Sequence, residues 1–321
     1  MASNTKSMER ESAARTGTTT PSPLKKPSTL WADIGAQVAL LVLTLIVLFP
    51  VLWILGMALD PRDLSRPTSI IPPGASLEPF RRIFTQPFAN GVTVWAALWN
   101  SILVSGGTSI VAAVLGTTAA YAFSRFRFPG RQAGMLSFIV VQMMPAGATL
   151  APLIVILSLL RWPKIDFLFL HLNAESLRTT LPGLAIAYAS GALPFVIWNL
   201  KGYFDTIPKD LEEAAVIDGA TNWQSFTRVI LPLSLPAFAV TLLFSFMAGW
   251  SEFLMAWTFL SDPGRFTLPM VLAGMVGQYS ANTRWADFAA LSIVMSLPIV
   301  VLFFLLQKWI VGGLTLGGVK G

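Results

Sequence analysis

Apolar residues run through this chain in long blocks separated by short polar stretches. Six blocks, at 34–59, 94–123, 132–160, 179–200, 229–251 and 288–307, are nearly free of charge. Each reaches the about 20 residues that an α-helix, rising about 1.5 Å per residue, needs to cross a hydrocarbon core. A spanning strand needs only about half that length, and a spanning segment must satisfy its own backbone, so all six are read as helices. The expected fold is an all-α membrane protein with six transmembrane helices over residues 31–321.

One polar stretch differs from the others. Residues 201–228, between the fourth and fifth blocks, hold five of the 16 acidic residues: Asp205, Asp210, Glu212, Glu213 and Asp218. Thr206-Ile207-Pro208 reads as a helix start, since proline is tolerated in a first turn and the acids after it suit the positive end of the helix dipole. Leu211, Ala214, Ala215 and Ile217 supply an apolar stripe. Gly219 offers the left-handed conformation that ends a helix. Thr221-Asn222-Trp223-Gln224 fits a capping box, so a second helix starts at once and runs toward Pro232. The pattern predicts helix, glycine corner, helix. Taken alone, Glu213 is a first-turn acid worth about 0.3–1 kcal/mol.

The remaining polar regions are less structured in pattern. Residues 1–30, rich in Ser, Thr and Lys without an apolar core, read as a disordered tail and not a signal peptide. Asp60 to Gly91, with six prolines, reads as an irregular loop. Within the spans, the small residues Ser105-Gly106-Gly107 and Gly116 to Ala120 fit close helix packing. Gln142 to Gly147, with Pro145, predicts a bend in the third span. Trp31, Trp95, Trp99, Trp162, Trp285 and Trp309 stand at predicted span ends, as interfacial anchors do.

Charge orients the spans and narrows the chemistry. With six spans the termini share a side. That side carries thirteen basic residues (Lys6, Arg10, Arg15, Lys25, Lys26, Arg125, Arg127, Arg131, Lys201, Lys209, Arg228, Lys308 and Lys320), against nine on the other. Positive charge collects on the cytoplasmic side, so both termini and the 201–228 loop are expected there. The net charge of +6 then reflects loops facing anionic membrane lipid and not nucleic acid. There are no cysteines and one histidine, His171, which leaves neither thiol chemistry nor a metal site in prospect. Glu252 lies in an apolar run, where a carboxylate is a functional candidate by default. It is also about 35 Å of helix beyond Arg228, so it reaches the far interface and a structural role is expected.

The string Glu213-Ala214-Ala215, with Asp218-Gly219-Ala220 after it and Leu231-Pro232 further on, resembles the EAA loop of the membrane subunits of bacterial ATP-binding-cassette importers. That pattern favours Ile where this chain has Val229. Further stretches, Ala119 to Gly130, Lys201 to Ile207 and Gly312 to Gly321, are similar to the MalG-type permeases of maltose and maltodextrin importers, within the binding-protein-dependent carbohydrate permease family. The resemblance covers about Trp31 to the last residue. It implies a type I importer permease in the bacterial inner membrane, paired with a MalF-like permease, a MalK-like ATPase dimer and an extracytoplasmic sugar-binding protein. It also implies that Glu213, Ala214, Ala215, Asp218, Gly219 and Ala220 form the helix that docks on the ATPase. Gly317, Gly318, Val319, Lys320 and Gly321 would reach between the ATPases. Hydrolysis would belong to the partner, in keeping with the absence of a Gly-x-x-x-x-Gly-Lys-Ser/Thr loop here.

Other readings fit less well. A permease for another oligosaccharide such as trehalose shares every feature above. A secondary transporter would want charged relays or broken helices near the membrane centre, and the spans are nearly free of charge. A membrane enzyme would need clustered reactive side chains, which the chain lacks.

Overall fold

The computed structural model describes residues 30–64, 69–88, 91–161, 165–167, 170–172, 176–276 and 283–317. The expected tail, except Leu30, lies outside them. The described chain is helical apart from a short antiparallel hairpin within the loop after the third span. There β1 (Ile165–Phe167) pairs with β2 (Leu170–Leu172), and Asp166 stands opposite His171.

Helix α1 (Leu30–Ala58) is apolar all round, and its large side chains from Ile34 to Leu52 are exposed along it. Such a surface belongs in hydrocarbon. The loop read as irregular contains an eight-residue helix, α2 (Glu78–Thr85), which has Pro79 in its first turn and buries Pro79 and Ile83. The prolines that break helices there also start one, because proline suits a first turn.

The centre is α3 (Val94–Arg125), α6 (Leu181–Thr206) and α9 (Leu235–Ser251), with α12 (Trp285–Gly317) against α9. Thr93 and Thr180 cap α3 and α6 by accepting the amides of Ala96 and Gly183. Helix α3 meets its neighbours through a stripe of small residues, Ala97, Ser101, Ser105, Thr108, Ala112, Gly116 and Ala120, at spacings of three and four. A Cβ on Gly116 would overlap the Val196 side chain of α6. One on Gly249 of α9 would lie 3.2 Å from the Ser105 Cα. Backbones this close leave little room for water, and buried polar groups bond across the gap. Thr108 donates to the Ala185 carbonyl at 3.2 Å, Ser109 to that of Leu242 at 3.0 Å, and Asn199 to the Thr241 hydroxyl at 3.0 Å.

Among the described residues four single helices are long and apolar enough to cross a membrane, and two bent pairs, each taken as one span, bring the total to six. The third expected span is such a pair: α4 (Arg131–Gln142) and α5 (Ala146–Leu159) meet at 109°. Pro145 breaks it, holding extended backbone (ψ 139°) at the join. In the fifth, α8 (Asn222–Leu233) turns 79° into α9 at the buried Ser234, whose hydroxyl donates to the Ile230 carbonyl at 2.8 Å. Pro236 has no N–H to return to the preceding turn, so the helix cannot run straight through. Short helices α10 (Leu254–Phe259) and α11 (Leu268–Met275) complete the loops before α12.

Candidate functional site

The polar 201–228 stretch forms the elbow expected of it, with different bounds. Helix α6 does not stop near Leu200 but continues to Thr206, helped by an ion pair between Lys201 and Asp205 one turn apart. Thr206 therefore ends one helix instead of starting the next. Only Ile207, Pro208 and Lys209 intervene before α7 (Asp210–Ile217), whose first turn carries Asp210, Glu212 and Glu213. At its far end Gly219 takes φ +87°, and two bonds close the helix: Ala220 N–H to the Ala215 carbonyl at 2.9 Å and Gly219 N–H to that of Val216 at 3.0 Å. These are the two bonds of a Schellman motif, which needs a left-handed residue at the glycine. The Thr221 hydroxyl then accepts the Gln224 amide while the Gln224 side chain accepts the Thr221 amide, which starts α8.

Helix α7 buries none of its residues. Glu213, Ala214, Asp218 and Gly219 are exposed, with Ala215 and Ala220 half-buried. The apolar stripe faces outward as well: Ile217 is 86% exposed and Val216 52%, with Trp223 of α8 beside them at 65%. In a polar element outside the spans, that is apolar surface that none of the described residues covers.

One acid of α7 turns the other way. Glu212 forms an ion pair with Arg125 at the end of α3 and accepts a hydrogen bond from the Tyr121 hydroxyl at 2.9 Å. The Arg125 and Glu212 side chains are only 7% and 15% exposed. Arg125 also donates to the Ile207 carbonyl at 3.0 Å, and Ser124 donates to Asp205 at 2.6 Å. The elbow's second arm is held by packing. Phe226 is buried against Tyr121, with ring centroids 4.6 Å apart, in a cluster with Phe204 and Ile230. Tyr121 thus touches both arms.

Local pattern singles out Glu213 but not Glu212, Arg125 or Tyr121. A signal was present: no acidic residue occurs between Glu78 and Asp166. Arg125, at the edge of an apolar span, has to find its counter-charge in a distant segment. The other candidates fall outside the elbow. Glu252 accepts the amides of Met255 at 2.9 Å and Ala256 at 3.3 Å at the start of α10, the kind of contact a structural role requires. Of the terminal segment, Gly317 ends α12, while Gly318, Val319, Lys320 and Gly321 lie outside the described residues.

A bundle of membrane-length helices carrying an exposed helical elbow between two of them defines a polytopic membrane protein. Residues 112–315 match the family described as binding-protein-dependent transport system inner membrane component, and the chain belongs to that family. It is 38% identical over 302 residues to the maltose/maltodextrin transport system permease protein MalG of Vibrio vulnificus (strain YJ016), covering 91% of this chain and 96% of that one. The MalG protein of Escherichia coli (strain K12) is 36% identical over 288 residues, covering 86% and 91%. Among solved structures, the fold matches a bacterial ABC transporter involved in the import of the acidic polysaccharide alginate. The TM-score is 0.69 at 20% identity, over 89% of this chain and 99% of that one. The fold is that of an ABC importer permease.

Proposed function

We propose that this chain is the permease subunit of an ATP-driven importer of maltose or maltodextrin. It forms the translocation path with a second, MalF-like permease in the inner membrane and takes its motion from a MalK-like ATPase dimer. An external sugar-binding protein delivers the cargo. The MalG relatives support the substrate class and the assembly. A second alginate transporter structure of the same fold was solved in complex with a periplasmic protein bound to an alginate pentasaccharide.

One observation carries the coupling role: α7 is fastened to the bundle by Glu212 yet leaves Val216 and Ile217 bare. An ATPase cleft would cover those side chains, and Glu213, exposed one residue from the anchor, would meet a basic group of the partner. Movement of α7 would then pass through the Glu212–Arg125 pair into α3, and through the short link at Ile207 into α6. Both termini and the elbow lie on the cytoplasmic side in this reading, which the thirteen-to-nine bias of basic residues supports. Hydrolysis belongs to the partner.

Two variants test it. Glu213→Lys reverses the exposed charge, and Gly219→Pro forbids the φ of +87°. Both should insert normally, lose most sugar uptake and retain less ATPase on co-purification. Unchanged ATPase retention together with unchanged uptake would sink the coupling role. Gly317 to Gly321 form a second contact in this proposal, reaching between the ATPase subunits. Their deletion should lower sugar-stimulated ATP turnover while leaving assembly intact, and normal stimulated turnover would reject the contact.

A further inference from the structure

Beside the elbow's anchor is a cavity of about 420 Å³ where α3, the turn before α4 and the end of α6 converge. Its wall carries four cations, Arg125, Arg127, Arg131 and Lys209, against one carboxylate, Asp205. Arg125 is taken by Glu212, and Asp205 by Lys201 and Ser124. Arg131 lies within electrostatic reach of Asp205 and donates weakly to the Ser124 carbonyl at 3.5 Å. Among the described residues Arg127 and Lys209 have no carboxylate partner, and both are exposed. The excess of positive charge suits a phosphate.

A second, apolar groove adjoins the first and shares Arg131 with it. It runs along α4 and α6, about 540 Å³ in volume, past Met135, Leu136 and Trp198, with Lys201 at its edge. Leu136 and Trp198 are 62% and 51% exposed, and Phe126 and Phe128 stand exposed on the turn above the basic cavity. Arg125 is the last residue of α3 and Arg131 the first of α4, so the cavity lies at the ends of two spans, at the level of the lipid headgroups. A charged cavity at that depth, opening into a greasy groove, matches one class of molecule in both halves. Basic pockets between transmembrane helices hold phosphate headgroups in this way.

We infer that this paired cavity and groove bind an anionic phospholipid, its phosphate on Arg127, Arg131 and Lys209 and an acyl chain along Leu136 and Trp198. The site stands whether or not the elbow docks an ATPase. If it does, the lipid sits where α3 and α6 meet the link to α7, so membrane composition would bear on the moving part.

The test uses the full chain with its partner subunits in nanodiscs, without nucleotide, so that turnover plays no part in the readout. Lipids retained after purification are counted by native mass spectrometry from phosphatidylglycerol and phosphatidylcholine mixtures. Phosphatidylglycerol should be retained in preference. Arg127→Gln with Lys209→Gln should weaken that retention by about fivefold per charge removed, while Arg127→Lys with Lys209→Arg should restore it and so exclude misfolding. Leu136→Gln should weaken it too. Displacement of the lipid by millimolar inorganic phosphate, with Leu136→Gln having no effect, would make this a free-anion site and overturn the proposal. Retention by the isolated chain but not by the assembled transporter would assign the cavity to partner carboxylates, and equal retention of both lipids would also overturn it.

Discussion

The two ends of α3 solve the same problem in opposite ways. At its start the chain closes on itself. Asn100 donates at 3.0 Å to the carbonyls of both Gly264 and Phe266, Ser101 accepts the Leu268 amide at 2.8 Å, and Leu268 and Trp250 are buried below. Nearby, Arg82 of α2 grips Asp287 at 2.7 Å. At the other end, Arg125 fixes one acid of the elbow and the rest of α7 stays bare. Buried Leu268 and Trp250 are covered at the first end, where the exposed Trp95 and Trp99 sit at a span end that the membrane interface takes up. At the second end Val216 and Ile217 stand exposed in a polar element outside the spans. The difference is the one expected if the second end is completed by another subunit, as proposed above.

The sharpest break of that comparison is a pair of truncations. Leu268→Ala should cost about 3 kcal/mol, as buried leucines do, whereas Ile217→Ala should stay within about 0.5 kcal/mol for the isolated chain. Thermal unfolding in detergent measures both, and a large loss at Ile217 would mean that α7 packs on its own bundle after all. If the elbow docks, Ile217→Ala should instead lower ATPase retention.

Arg125→Ala comes close behind, at about 3 kcal/mol, because it strands Glu212 largely buried without its partner. Much of that loss should be local. Hydrogen exchange should quicken in α7 while the start of α3 stays protected, and unchanged exchange in α7 would show that Phe226 alone holds the elbow.

The smallest effect is one of pH, at the first end. Asp60, its side chain only 3% exposed, accepts from Arg62 at 2.8 and 2.9 Å and from the Arg62 amide at 3.0 Å. Chiefly through the Arg62 side-chain hydrogen bonds, its carboxyl is held below its ordinary value of 3.8. A lowered folded-state value stabilises the protein above the ordinary pKa, and that contribution disappears as pH falls through the lower one. Loosening of the loop after α1 should therefore appear only below about pH 4, and Asp60→Asn should abolish this acid dependence. A midpoint near pH 6 would contradict the assignment.

Much of this was legible in the chain. Gly219 and the Thr221 to Gln224 box read correctly because their bonds join residues within one or two turns. The bend at Pro145 read correctly for the same reason. The end of α6 did not, since hydropathy falls at Lys201 while the helix itself persists: Lys201 and Asp205 are polar but paired along one face. Helix α2 was hidden by its prolines. The Glu212–Arg125 pair was hidden by distance in sequence, and at Glu212 and Glu213 local pattern cannot tell which of two neighbouring acids turns inward.

The link Ile207-Pro208-Lys209 has a mechanical consequence. Ile207 is buried, its carbonyl is held by Arg125, and Pro208 has a fixed φ. A floppy tether would absorb a push at α7 before any of it reached the membrane. Three residues, two of them constrained, leave almost no slack. Force applied to the elbow arrives at the foot of a 26-residue helix at once, and a tilt of that helix returns to the elbow with equal directness.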